Sequence, residues 1–241
     1  MTPALSVRHL SKSFGSRAAV VDASFSVQAG EFVAVLGASG SGKTTLFRCL
    51  TRLTEPDDGE IEIGGEVFHT LRGKRLAAAR RRMGLVFQQF NLIRRLSALE
   101  NALAGRLGNA PLWRVMLRTF SADDVMIAAD ALREVGLGEH LDQRADTLSG
   151  GQQQRVAIAR AIAQRSRVIL ADEPVASLDP ETALSILELL HALTRTSGVA
   201  VICTLHQPQL AQRFADRILT MNAGRLSEFE ASECAAADAQ T

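Results

Sequence analysis

Two kinds of hydrophobic spacing divide this chain. Over roughly the first thirty residues, apolar positions come in short alternating runs, SVRHL and VVDASFSV, broken by Gly15 and the Ala29-Gly30 turn. That alternation predicts short strands. EFVAVLG then sets apolar residues side by side and stops on Gly37, the pattern of a buried strand entering a turn. In TTLFRCLTRL the spacing puts Leu46, Leu50 and Leu53 on one helical face, with Pro56 and Asp57-Asp58-Gly59 as stop signals. GEIEIGGEVF predicts a hairpin about Gly64-Gly65, RGKRLAAARRR a basic helical segment, and MGLVFQ another buried strand.

From Phe90 to about Gln143 the strand signals stop, and ALENALAGRL and DVMIAADALREVGL read as helices. This stretch is expected to be a helical lobe inserted between two halves of an α/β core. The core resumes with two apolar strands, RVILADE and VAVICTLH, and the alanine-rich polar tail from Glu230 is expected to fray. This order argues for an α/β fold with mostly parallel central strands.

Composition narrows the class. At 241 residues, with 46% hydrophobic and 22% charged residues, the chain has enough apolar material for one large domain with an inserted lobe. A formal net charge of +1 gives no electrostatic reason to expect nucleic acid. No apolar run approaches the roughly 18 residues that would span a bilayer. MTPALSVRHLSKSF lacks the basic start and continuous apolar core of a signal peptide. Cys49, Cys203 and Cys234 show no metal-ligand spacing, and two lie in apolar stretches, as reduced buried thiols do.

Candidate chemistry begins at GASGSGKTT. Gly37, Gly42, Lys43 and Thr44 fit G-x-x-x-x-G-K-[ST] between an expected strand and an expected helix. The glycines let backbone N–H groups point at phosphate oxygens, Lys43 can reach the β- and γ-phosphates, and the Thr44 hydroxyl can hold Mg²⁺. RVILADEP carries Asp172 to a strand end, where it can bind the Mg²⁺ shell, and Glu173 follows as a carboxylate able to deprotonate an attacking water. Either acid alone could simply end a strand; the pair together with the phosphate loop marks a nucleotide hydrolase.

LSGGQQQR adds a second glycine turn. Ser149 is a good N-cap for a helix with Val156, Ala159 and Ala163 on its buried side, and Gly150-Gly151 leaves that helix start open to an anion. One γ-phosphate cannot sit on both turns of one chain if the helical lobe holds them apart. Two chains packed head to tail resolve this, each offering Ser149, Gly150, Gly151 and Gln152 to the ATP on its partner's phosphate loop.

With LSGGQ, ADEP and SLDP in place, the chain from about Leu5 to Phe229 resembles the ABC-type ATPases. The resemblance implies a P-loop NTPase of RecA-like core with an N-terminal antiparallel β-subdomain and an inserted helical subdomain. The core lobe would cover about 1–89 and 165–230, the helical lobe about 90–164, and the tail 231–241. It implies ATP and Mg²⁺, with the whole loop Gly37, Ala38, Ser39, Gly40, Ser41, Gly42, Lys43, Thr44 and Thr45 binding nucleotide. Phe14 in KSFG matches the aromatic that stacks on adenine, a Phe here where the family more usually has Tyr, with a core Phe as the lesser alternative. Gln88 in VFQQFNL, preferred to the neighbouring Gln89 because it directly follows VF, matches the glutamine linking the Mg²⁺ shell to the helical lobe, Asp179 in SLDP the acid at the dimer seam, and His206 in TLHQP the histidine on the γ-phosphate.

In the family the helical lobe and the Gln88 loop receive a cytoplasmic helix of a membrane subunit. The resemblance therefore implies a homodimer on the cytoplasmic face of the inner membrane, with separate permease subunits and a periplasmic or lipid-anchored substrate-binding protein. The insert Gly105–Asp124, QRADTLSGGQQQRVAIARA and TLHQ are similar to the phosphonate-importer ATPases. Polar amino-acid importers share LSGGQQQRVAIARA but seldom the insert, and usually carry an acid where this chain has Gln207. A soluble ABC ATPase acting on ribosomes or nucleic acid is the reading from another class. The basic run Lys74, Arg75, Arg80, Arg81 and Arg82 reads either as a solvated helix face or as a contact with membrane loops or headgroups.

Overall fold

The structure, a computed structural model, describes residues 2–108 and 119–229. In chain order the described strands are β1 (Leu5–Phe14), β2 (Arg17–Val27), β3 (Phe32–Leu36), β4 (Asp58–Ile63), β5 (Glu66–Val67), β6 (Met83–Phe87), β7 (Val168–Asp172), β8 (Ala200–Leu205), β9 (Arg217–Asn222) and β10 (Arg225–Glu228). The described helices are α1 (Lys43–Leu50), α2 (Gly73–Arg80), α3 (Ala98–Leu103), α4 (Ala122–Glu134), α5 (Gly150–Ala163), α6 (Pro180–Ser197) and α7 (Pro208–Phe214). They divide into two compact units, residues 1–70 with 191–241, and residues 71–190.

In the first unit β1 pairs antiparallel with both β2 and β4, setting Leu5 opposite Val27 on one side and Ile63 on the other. Leu5, Val7, Leu10, Val20, Ala23, Val27, Ile61 and Ile63 are buried, so the alternation seen in the sequence turns one face of this sheet inward. A second set of strands is parallel: β3 lies between β8 and β9, with Ala34 opposite Cys203 and Ile218, and β10 closes antiparallel on β9. Every residue of β3 and β8 is buried, as parallel strands covered on both faces require. Cys49 and Cys203 are buried, and burial pushes the Cys49 thiol up to about 11, so it packs as a small apolar group.

The helix at α1 ends earlier than its spacing predicts. Leu46 and Leu50 are fully buried, but α1 stops at Leu50 and Leu53 is 60% exposed. The reason lies at Arg52, whose backbone is left-handed (φ 53°) and whose buried guanidinium donates to the Phe68 carbonyl at 3.0 Å and pairs with Glu55. Satisfying that cation in the turn outweighs one more leucine on the helix.

In the second unit β6 and β7 run parallel, Met83 opposite Val168 and Phe87 opposite Asp172. Helices α3, α4 and α5 pack against one another, and α5 also packs on β6. Val156, Ala159 and Ala163 are all fully buried along α5. Its far end is tied down by Gln164, whose Nε2 donates to the carbonyls of Arg81 and Met83 at 2.9 and 2.7 Å. Of the insert from Gly105 to Asp124, residues 109–118 lie outside the described residues, as does the tail from 230.

Candidate functional site

Each unit carries its own part of the expected chemistry. In the first, β3 delivers Gly37 and α1 begins at Lys43. Gly42, the N-cap, sits at φ 114°, and a Cβ there would lie 2.2 Å from the Ala19 carbonyl oxygen, so only glycine fits. Lys43 is 4% exposed, and its Nζ donates to the carbonyls of Gly37 at 2.6 Å and Ala38 at 3.1 Å, holding the loop closed on itself. The first turn of α1 contains no acid, which leaves its positive end open to an anion. The Ser41 hydroxyl is buried with no hydrogen-bond partner in the structure. A buried donor left so at a helix start fits a phosphate-bearing ligand.

His206 leaves β8 immediately after Leu205, which pairs with Leu36, so His206 and Gly37 emerge side by side from adjacent parallel strands. His206 is exposed. Phe14, at the end of β1, is 54% exposed, which excludes the core-Phe alternative. Lys12 lies over its ring, Nζ 5.4 Å from the centroid, and pairs with Asp57 at 2.6 Å. That lysine, with the Ser13 amide, holds the Asp57 carboxyl below the usual carboxylate range.

Arg17 is a residue that the sequence pattern did not flag. It pairs in register with Phe14 across the β1–β2 turn, and its Nη2 reaches the Gly40 carbonyl at 3.5 Å. It thereby ties the strand end bearing the aromatic to the phosphate loop. The signal was present in KSFGSR, where a two-residue turn sets the two residues opposite each other.

The second unit repeats the device. Because Phe87 pairs with Asp172, Gln88 and Glu173 leave β6 and β7 side by side. Gln88 is exposed, and its Nε2 approaches the Ser177 hydroxyl at 3.5 Å. Glu173 adopts a left-handed backbone (φ 50°), a conformation that non-glycine residues hold at some cost and that recurs at functional sites. Asp179 is exposed; its Oδ1 accepts from the Thr182 amide at 2.9 Å and so caps α6. Thr182, first through its side chain and then through its backbone, keeps the Asp179 carboxyl below its usual range.

Ser149 caps α5 with a full capping box: its hydroxyl accepts from the Gln152 amide at 3.3 Å, and Gln152 Oε1 accepts from the Ser149 amide at 2.9 Å. Ser149 and Gly150 are exposed. A Cβ on Gly151 would meet Thr182 Cγ2 at 2.4 Å, so the LSGGQ turn, the signature of the chain, and the start of α6 are fitted closely together. Phe90 lies beside the same turn, 3.8 Å from a Cβ built on Gly150.

Residues 20–176 match the family model described as ABC transporter. The chain belongs to the ABC transporter family. It is 49% identical over 223 residues to the hypophosphite import ATP-binding protein HtxD of Stutzerimonas stutzeri, an alignment covering 92% of this chain and 65% of HtxD. To the phosphonates import ATP-binding protein PhnC of Nitratidesulfovibrio vulgaris it is 46% identical, covering 92% of this chain and 84% of PhnC. Among solved structures, the dimeric bacterial ABC transporter cassette MJ0796 superposes with a TM-score of 0.80 at 32% identity, covering 94% of this chain and 99% of that one. The α/β fold with a P-loop is thus that of an ABC cassette. Among the described residues, no helix is long and apolar enough to cross a membrane.

Proposed function

We propose that this chain is the ATP-hydrolysing subunit of an importer for phosphonates or related phosphorus oxyanions. It would work as a head-to-tail homodimer on the cytoplasmic face of the inner membrane, against separate permease subunits fed by a substrate-binding protein. The observation that carries the ATPase reading is the open start of α5, where Ser149 and Gly150 stand exposed on a helix whose cap is already satisfied. An exposed helix start of this kind can receive an anion, and in this reading the partner chain brings it. The cargo rests on the names of HtxD and PhnC, both import proteins for phosphorus oxyanions.

In this reading Gly37 to Thr45 wrap the phosphates, Lys43 reaches the β- and γ-phosphates, and Phe14 stacks on adenine. Mg²⁺, when bound, would neutralise phosphate charge, with Thr44, Gln88 and Asp172 as its candidate ligands. Glu173 accepts a proton from the water whose oxygen bonds to the γ-phosphorus as the bond to the β–γ bridging oxygen breaks, giving ADP and phosphate. His206 holds the γ-phosphate in line. Ser149, Gly150, Gly151 and Gln152 act on the partner's nucleotide, with Asp179 at the seam. The helices between Phe90 and Gln164 form the lobe that passes closure on to the membrane subunit.

Growth tests this. A strain lacking the gene, and with no second importer of these compounds, is grown on phosphate, an alkylphosphonate or hypophosphite as sole phosphorus source. Loss of growth on the reduced-phosphorus sources alone, restored by the wild-type gene but not by Lys43→Ala, is the expected result. Normal growth on all three would overturn the cargo and point to polar amino acids.

A further inference from the structure

The side chain of Gln152 does more than cap its helix. Its Nε2 lies 3.4 Å from Nε2 of His140, and the Nδ1 of that ring lies 2.8 Å from Oε1 of Gln143. Gln143 Nε2 in turn donates to the Thr147 carbonyl at 3.3 Å and to its hydroxyl at 3.2 Å. The Thr147 hydroxyl donates to the Arg144 carbonyl at 2.8 Å, which leaves it an acceptor towards Gln143.

Both ends of this chain of bonds are anchored on backbone groups of known polarity. The Thr147 carbonyl can only accept, so Gln143 turns its NH₂ there and its Oε1 to the ring. The Ser149 amide can only donate, so Gln152 turns its Oε1 there and its NH₂ to the ring. His140 therefore meets an acceptor at Nδ1 and a donor at Nε2. A single form of imidazole satisfies both, the tautomer with its hydrogen on Nδ1. The ring is half-buried on the turn that precedes the signature, which keeps it in this frame.

We propose that His140 is a positioning residue for the signature turn, locked by Gln143 in its Nδ1–H tautomer and orienting the Gln152 amide through Nε2. The inference rests on the proposed trans role of Gln152. The Ser149 amide is taken by Gln152, so the polarity of that side chain decides which atom the exposed turn presents to the partner. A flipped amide would set an N–H against the Ser149 N–H and loosen the cap.

The tautomer can be read directly in the full-length protein labelled with ¹⁵N-histidine, at about pH 8.5, well above the ordinary imidazole value. Long-range ¹H–¹⁵N correlation should show His140, assigned by its loss in His140→Gln, with a protonated Nδ1 and a bare Nε2. Gln143→Leu should shift it towards the Nε2–H form. In a Glu173→Gln background with ATP, His140→Ala and Gln143→Leu should weaken dimerisation roughly two- to tenfold, the scale of one hydrogen bond. ATP affinity of the monomer and thermal midpoint should stay close to the parent. His140→Gln, whose Oε1 can stand where Nε2 stood, should recover most of the loss. An Nε2–H ring in the wild type, a tautomer indifferent to Gln143→Leu, or dimerisation unmoved by either variant overturns the proposal. A parent that stays monomeric with ATP overturns the sandwich itself, and the tautomer then still decides whether the relay exists.

Discussion

Arg160 donates from Nη1 to the carbonyl oxygen of Asn91 at 2.7 Å, and its Nη2 reaches the neighbouring Phe90 carbonyl at 3.2 Å. Phe90 and Asn91 are both left-handed (φ 57° and 48°), so the chain just after Gln88 is held in a conformation it would not choose alone. One planar guanidinium spans both carbonyls, and burial lowers its pKa without discharging it. Arg160 thus ties α5, two turns beyond the signature, to the loop that carries Gln88. Arg160→Met should lower unfolding stability by about 2–4 kcal/mol, because two charge-assisted bonds go. Arg160→Lys, a point charge without the fork, should recover only part of it. Denaturant unfolding of the three proteins checks this, and a lysine variant equal to wild type would show that the fork is dispensable.

The tie explains what sequence reading reached and what it did not. Strand ends were legible because EFVAVLG, MGLVFQ and RVILADE stop where apolar runs stop, and Ser149 was legible because capping chemistry is local. Register was not. Nothing in the one-dimensional pattern sets Phe87 against Asp172 or Leu36 against Leu205, yet those two pairings place Gln88 beside Glu173 and His206 beside Gly37. Long-range contacts of single cations were equally hidden: Arg17, Arg52 and Arg160 each settle a turn through backbone carbonyls far along the chain. Leu53 went astray for that reason, since periodicity counts leucines and not the demands of the arginine before it. The strands β9 and β10 carry too many polar residues to announce themselves.

The capping role of Ser149 can be separated from its proposed role in trans. Ser149→Ala removes the acceptor for the Gln152 amide and should cost about 1 kcal/mol of stability while adding neither bulk nor charge to the turn. Ser149→Arg sets a long cation on an exposed helix start and should abolish ATP-dependent dimerisation while a single chain still binds ATP. Light scattering with and without ATP, beside nucleotide titration of the monomer, distinguishes the two. An ATP-induced dimer of the arginine variant would refute the trans assignment.

Acid stability has an identifiable contributor at Asp124. The Ser121 hydroxyl, and after it Arg106, hold this carboxyl below the usual range; the contacts are 2.7 and 2.8 Å. Arg106 continues to the Ala163 carbonyl at 3.0 Å, so the pair fastens the start of α4 to the end of α5. A carboxyl depressed in the folded state contributes stability that is fully present above its unfolded value of about 3.9 and is lost as pH falls through the lower folded value. Denaturant midpoints from pH 6 to pH 2.5 should therefore differ between wild type and Asp124→Asn at pH 6 and converge in acid. Parallel curves would show that Asp124 carries no linked proton.

Glu173 should separate stability from activity. As the proposed base it is expected to lose about 10²–10⁴-fold in hydrolysis on conversion to Gln, with ATP still bound. Its left-handed backbone adds a second expectation. Most glycine substitutions lower stability by enlarging the freedom of the unfolded chain, but at a non-glycine residue held at φ 50° glycine also relieves steric cost in the folded state. Glu173→Gly should therefore equal or exceed the wild type in thermal midpoint while hydrolysing no faster than Glu173→Gln. If Glu173→Gln retains wild-type turnover, the base lies elsewhere. If Glu173→Gly unfolds well below Glu173→Gln, the backbone at 173 is not strained, and the contacts of its carboxylate hold the loop instead.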